Sequence, residues 1–302
     1  MSHIFENYIS LIVSAFLGFG VGILTSIFGA GGGFIITPAL NIFMRLPMQI
    51  AVGTSSLQIA GASFFALCRQ MDREFIGMRV GLLMAAGIFP GTFLGTYCVR
   101  LTKKMGMIAV FSRSIPASEI ILLSIFAVFI TFVSAWLIID NFFLKKVSRR
   151  EDEEDHTGFL SFLQIPPVMK FRSIPSGAFS ITVLVILGVF TGFISGLLGI
   201  GGGVIMMPIL YYLVGQKTKY AVRTSLITVF AAGVFSSLGH GIDKNIDYGI
   251  ALPLIFGSFF GTSVGTNIAR KLSGRSVRKY FSFILLTVLI MVLVKLYFIV
   301  FG

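Results

Sequence analysis

Apolar runs long enough to cross a hydrocarbon core recur from Ile9 to Phe301; a helical crossing needs roughly 20 such residues. This recurrence fixes the solvent. Most of the chain must sit in lipid, where only helices and closed barrels satisfy every backbone group. With 56% hydrophobic and 12% charged residues, the chain is far from a soluble domain, which carries about 25% charged residues. The reading is an all-α integral membrane protein of about eight transmembrane helices. The opening residues Met1 to Glu6 lack the basic stretch of a secretory signal, so the first apolar run is expected to be a retained span. Cys68 and Cys98 lie inside apolar segments, away from any histidine cluster. Neither a disulfide framework nor a zinc site is expected, and no metal or cofactor is implied. The net charge of +12 is read as a report on membrane orientation, not as a nucleic-acid surface.

Shifting the sequence by 170 residues aligns Gly18 to Arg100 with Gly188 to Arg270 without a gap, giving 24 identities in 83 positions. Chance agreement for this composition is roughly one position in twelve, so two copies of one unit are expected. Each copy reads as four spans, the first broken at a glycine-rich segment. The first copy covers 1–117 and 118–144, a charged extramembrane linker 145–178, and the second copy 179–302. The spans are placed near 9–45, 48–70, 80–101 and 118–142, then 179–214, 218–239, 247–270 and 278–301. Four crossings per copy place both termini and the linker on one face, with the units related by an axis along the membrane normal. The opposite face carries 13 cations against 10, a modest bias that makes the termini and linker periplasmic.

FGAGGGFIITP (Phe28 to Pro38) and LGIGGGVIMMP (Leu198 to Pro208) occupy matching places in the two copies. Three successive glycines cost roughly 1 kcal/mol each inside a helix, so these are breaks. Within a membrane a break is tolerated only where it is buried in protein or lines a watery cavity. Paired breaks point to a transporter binding site, and free amides at the helix start beyond each break favour an anion. The candidate ligands are Gly29, Gly31, Gly32 and Gly33 with Gly199, Gly201, Gly202 and Gly203. Tight packing of small residues is the competing reading.

A second matched pair, AVGTSS (Ala51 to Ser56) and AVRTSL (Ala221 to Leu226), opens the next span of each copy. Hydroxyls of Thr54, Ser55, Thr224 and Ser225 can donate to an oxyanion, or cap and bond the backbone of their own helix. Arg223 stands where the first copy has Gly53, so the fold does not require a long side chain there. It either reaches the headgroups or forks onto an anion. Gly87, Gly91 and Gly95, matched by Gly257, Gly261 and Gly265, form a stripe that reads as helix packing. Gly261 to Gly265 also fits G-x-S-x-G, but inside an apolar helix and not on a strand-to-helix turn; no enzyme is expected.

The doubled G-x-G-G-G-x-x-x-x-P, ending at Pro38 and Pro208, and the A-V-x-T-S that follows resemble the sulfite exporter TauE/SafE family over nearly the whole chain. The resemblance implies a multi-pass protein of the bacterial plasma membrane linked to sulfite, sulfonates or other organosulfur anions. It carries the substrate region onto Gly29 to Gly33, Thr54 and Ser55, with Gly199 to Gly203, Thr224 and Ser225. The expected function is outward transport of a small anion; an anion-selective pore or a non-transporting membrane scaffold is the alternative. The expected partners are that anion and lipid.

Overall fold

A computed structural model describes residues 2–70, 77–110, 113–139, 158–174 and 177–301. In chain order the helices are α1 (Ser2–Phe28), α2 (Gly33–Phe43), α3 (Met48–Gln70), α4 (Met78–Lys104), α5 (Ala117–Ile138), α6 (Ile181–Leu198), α7 (Gly203–Pro208), α8 (Thr218–Ile242), α9 (Tyr248–Ala269) and α10 (Gly274–Phe301). A π-helical turn, Ile209–Leu213, continues α7. Two short antiparallel hairpins, β1 (Met107–Val110) with β2 (Arg113–Pro116) and β3 (Val168–Lys170) with β4 (Ala178–Ser180), lie in connections. Eight helices are long and apolar enough to cross a membrane; α2 and the α7 segment are shorter apolar helices.

Hydropathy makes these segments helical, but glycine decides how they pack. A Cβ on Gly87, Gly91 or Gly95 of α4 would strike carbonyl oxygens of Val185, Val189 and Phe193 on α6. On α9, Gly257, Gly261 and Gly265 abut the carbonyls of Ala15, Phe19 and Ile23 on α1 in the same way. Each contact in the first set has its counterpart 170 residues away in the second. Backbones in lipid approach this closely only through small residues, so the glycine stripes, Gly91, Gly95, Gly261 and Gly265 among them, are packing surfaces.

The first broken span does not carry on across the bilayer. α2 folds back along α1: the Ser14 hydroxyl lies 3.9 Å from the Met44 sulfur, and Val21 clusters with Ile36 and Leu40. Gly32 would overlap Val21 if it bore a Cβ. α1 and α2 therefore form a hairpin, and α3 starts from the end at which α1 entered.

This changes the parity of everything downstream. α3 and α8 run antiparallel: the Ser56 hydroxyl is 2.9 Å from that of Ser236, Gly53 packs on the Asn245 carbonyl, and Gly77 lies beside Thr224. α4 runs parallel to α8 and α3 parallel to α9, as the Arg100–Asp243 pair and the Gln58–Ser258 bond require. The expectation of two units sharing one direction is overturned. Matching helices point opposite ways, and the connection after α5 lies at the opposite end of the bundle from both termini.

Part of the linker packs on the protein. Its charge run, with Lys145, Lys146, Arg149 and Arg150, lies outside the described residues. Beyond Gly158, however, the chain docks on the protein. The Phe159 and Leu160 amides bond to the Tyr212 and Leu213 carbonyls at 2.9 and 3.0 Å. Phe171, Ile174 and Phe179 are buried with Leu210 and Val214, and Gln216 donates to Ser173 at 2.9 Å. At the other end, Glu119 in the first turn of α5 accepts from the Asn41 amide at 2.5 Å and from the Met48 backbone at 2.8 Å. A carboxylate there favours the α3 N-terminus and fixes the α2–α3 turn.

One-sided reporters placed at Ser161 and at the C-terminus should therefore read opposite faces of the membrane. Matching readouts would restore the same-face arrangement and contradict the hairpin.

Candidate functional site

α1 ends on Gly29 at φ 67°, and α6 ends on Gly199 at φ 64°. Both are left-handed turns that other residues adopt at a cost. Each helix end leaves carbonyls without intrahelical donors, and here the opposite half of the chain supplies them. The Ser225 hydroxyl on α8 donates to the Gly29 carbonyl at 2.9 Å. The Ser55 hydroxyl on α3 donates to the Gly199 carbonyl at 3.0 Å, joined by Thr37 from α2 at 3.1 Å. Thr37 and Ser55 also lie 2.7 Å apart.

The two breaks touch as well. A Cβ on Gly33 would meet the Gly199 carbonyl, and one on Gly203 would overlap Ala30. Ile59 and Val229, 170 residues apart, bear on both Gly31 and Gly201. Gly29 to Gly33 and Gly199 to Gly203 are all buried. In this conformation the crossing is a buried, close-packed contact. The serine hydroxyls donate to carbonyls instead of facing a ligand.

The neighbouring threonines part company with the serines. Thr54 accepts from the Asp247 amide at 3.0 Å, holding the α8–α9 turn. Thr224 Oγ1 is buried beside Gly77, with no hydrogen-bond partner among the described residues. Pro38 is buried in α2, while Pro208 ends α7 and passes into the π-helical turn. Arg223 is set apart from the crossing. It lines a cavity of about 190 Å³ at the linker end, together with Lys219, Arg270, Gln70 and Thr266. Ile27 and Val222 also line that cavity, and Val222 bears on Gly29.

The terminus end differs. There Arg100 and Asp243 form an ion pair at 2.8 Å that ties the end of α4 to the end of α8. His240, fully buried, lies 2.9 Å from the Gly196 carbonyl through Nε2. Sequence reasoning passed over Thr37, Lys219, Arg270 and this ion pair. The 170-residue shift pairs Arg100 with Arg270, which marks a matched cation in each half. Thr37 has no such signal, because Met207 holds the matching place.

Eight apolar helices wound around two crossing glycine breaks define a multi-pass membrane transporter. The family profile described as "Sulfite exporter TauE/SafE" matches residues 13–292. The chain belongs to the TauE/SafE family, whose members are transporters and not enzymes. It is 25% identical to the "Probable membrane transporter protein YunE" of Bacillus subtilis, over 89% of this chain and 92% of that protein. It is 26% identical to the "Probable membrane transporter protein MJ0441" of Methanocaldococcus jannaschii, over 93% and 94%. A "Probable membrane transporter protein" of Xylella fastidiosa is 25% identical over 94% and 95%. No solved structure matches the chain.

The clamps differ in redundancy, and so should their loss. The Gly199 carbonyl has two hydroxyl donors, whereas for Gly29 the described side-chain donor is Ser225. Ser225→Ala should cost about 1–3 kcal/mol, the price of stranding a buried acceptor, and Ser55→Ala about 0.5–1.5 kcal/mol. Thermal unfolding in detergent measures both; equal stability of wild type and Ser225→Ala would remove the clamp.

Proposed function

We propose that the protein is a carrier for a small anion, a sulfur oxyanion or sulfonate. Access would alternate between the two ends about the crossing of its glycine breaks. The observation that carries this reading is the reciprocal contact of two broken hairpins from oppositely directed halves, each closed by a serine of the other. Two related units of inverted topology, with sites built from discontinuous helices at their interface, are a recurring transporter architecture. The matching contacts 170 residues apart support the two-unit description of the chain.

Charge supports the choice of an anion and an orientation. Among the described side chains, eleven cations gather at the linker end, including Lys217, Lys219, Arg223, Arg270 and Lys271, against Arg45, Arg100, Lys103, Lys104, Lys244 and Lys295 at the other. Cytoplasmic loops carry the excess of lysine and arginine. The linker end is therefore assigned to the cytoplasm and both termini to the outside. The cationic cavity would then open on the side where an exporter loads. An inside-negative potential drives an anion outward by roughly 2.3 kcal/mol per charge per 100 mV, so export needs no coupling ion. Among the described residues the carboxylates Glu119, Asp243 and Asp247 sit at the terminus end, not at mid-span.

Flux from sealed vesicles containing the pure protein tests the reading. Saturable efflux of sulfite or methanesulfonate is expected; ohmic conductance would make the protein a pore, and no movement a scaffold. Gly202→Ala should slow efflux at least about tenfold while inserting normally, because a Cβ there finds room but strains a φ of 67° that the break must hold. Unchanged efflux in that variant would separate the break from transport.

A further inference from the structure

We infer that Lys219, Arg223 and Arg270 form an anion-binding vestibule at the linker end, spatially separate from the glycine crossing and not repeated by the matching residues of the other half. The inference rests on the anion-carrier reading for its occupant. It moves the first binding step away from the break amides and hydroxyls.

Three observations carry it. First, the three cations line one cavity of about 190 Å³, enough for a small oxyanion with a short organic tail. Thr218, Thr266 and Gln70 add polar groups, and Ile27, Val222 and Val277 add apolar wall. Arg223 has contacts of its own, but a guanidinium carries five donors and holds an oxyanion without giving up its neighbours. Low-dielectric walls around charges of one sign concentrate counterions by about 10-fold or more.

Second, the cavity stops one layer short of the first break. Val222 lines it, and its carbonyl lies 2.7 Å from the Ser225 hydroxyl, whose single proton it shares with the Gly29 carbonyl. An anion seated here lies against the element that must open.

Third, the matching place in the other half is filled and neutralised. Counting back 170 residues, Lys219, Arg223 and Arg270 correspond to Gln49, Gly53 and Arg100. The Asn245 carbonyl occupies the space where a side chain at Gly53 would go, and Asp243 engages Arg100 at 2.8 Å. The position matching Asp243 is Arg73, so Arg270 has no carboxylate in the corresponding place of the sequence. The described carboxylates, Glu119, Asp243 and Asp247, all lie at the far end. A duplicated scaffold has kept a charge lock at one end and a cationic basin at the other.

The test uses the full chain in neutral detergent with Cys68 and Cys98 replaced by serine and a reporter thiol from Ala269→Cys, a half-buried position on the cavity wall. Rates with the anionic sulfonatoethyl and the cationic trimethylammonioethyl methanethiosulfonate are each divided by the rate with a free thiol. The anionic reagent should be favoured about tenfold. Millimolar methanesulfonate should protect the thiol, and Arg223→Gln or Arg270→Gln should bring the preference to about threefold or less.

A preference near unity, or one that survives Arg223→Gln with Arg270→Gln, overturns the vestibule even if vesicle flux is normal. Protection by phosphatidylglycerol but not by methanesulfonate overturns it too, assigning the cations to a lipid headgroup. Anion preference with methanesulfonate protection but no flux would sustain the vestibule and remove the carrier reading alone.

Discussion

Backbone groups released by a helix break cannot find water inside a bilayer, and the arrangement of this protein follows from that constraint. Ser225 supplies the donor for Gly29, and Ser55 with Thr37 the donors for Gly199. Neither half can satisfy its own break in this geometry. The helices bearing those hydroxyls must therefore reach across, so α8 lies over the end of α1 and α3 over the end of α6. Close packing of α1 on α9 and α4 on α6, through glycines that admit no Cβ, holds this exchange in register. A break that depends on another element for its hydrogen bonds is also one whose opening that element can govern.

Much of this was written in the sequence, but its direction was not. The 170-residue repeat, the paired triple glycines and the T-S pairs located the crossing to within a residue or two. Hydropathy, however, cannot tell an 11-residue apolar helix that continues outward from one that turns back. α2 turns back, and that single reversal changes the parity of every later span. Charge counting inherited the error: with α2 taken as a crossing, the cations divided almost evenly. Once α2 returns, Lys217, Lys219 and Arg223 join Arg69 and Arg79 at one end, and the bias becomes strong. The site was legible in the same partial way. Ser55 and Ser225 were singled out, but as donors to a ligand. Burial and the nearby glycine carbonyls turn them inward in this conformation. Arg223 was legible as the residue that breaks the symmetry and Arg270 as the match of Arg100, while Lys219 carried no signal beyond its charge.

The two ends of one duplicated scaffold thus carry different chemistry. At the terminus end, Arg100 with Asp243 and Glu119 with Asn41 and the Met48 amide knit five helices together. At the linker end, Lys219, Arg223 and Arg270 line a cavity. A carrier whose two faces were equivalent would have no built-in preference for where it rests. Here one end is tied by an ion pair, and the other gathers Lys219, Arg223 and Arg270 around a cavity.

The opposed direction of α3 and α8 is the claim on which the crossing, the sidedness and the asymmetry all rest. Disulfide trapping tests it in a background without Cys68 and Cys98. Ser56 and Ser236 have hydroxyls 2.9 Å apart, a separation compatible with a disulfide between cysteines at those positions. Ser56→Cys with Ser236→Cys should cross-link rapidly under mild oxidation, while Ser56→Cys with Leu226→Cys, the pair that parallel units would bring level, should not. The reverse pattern would contradict the account.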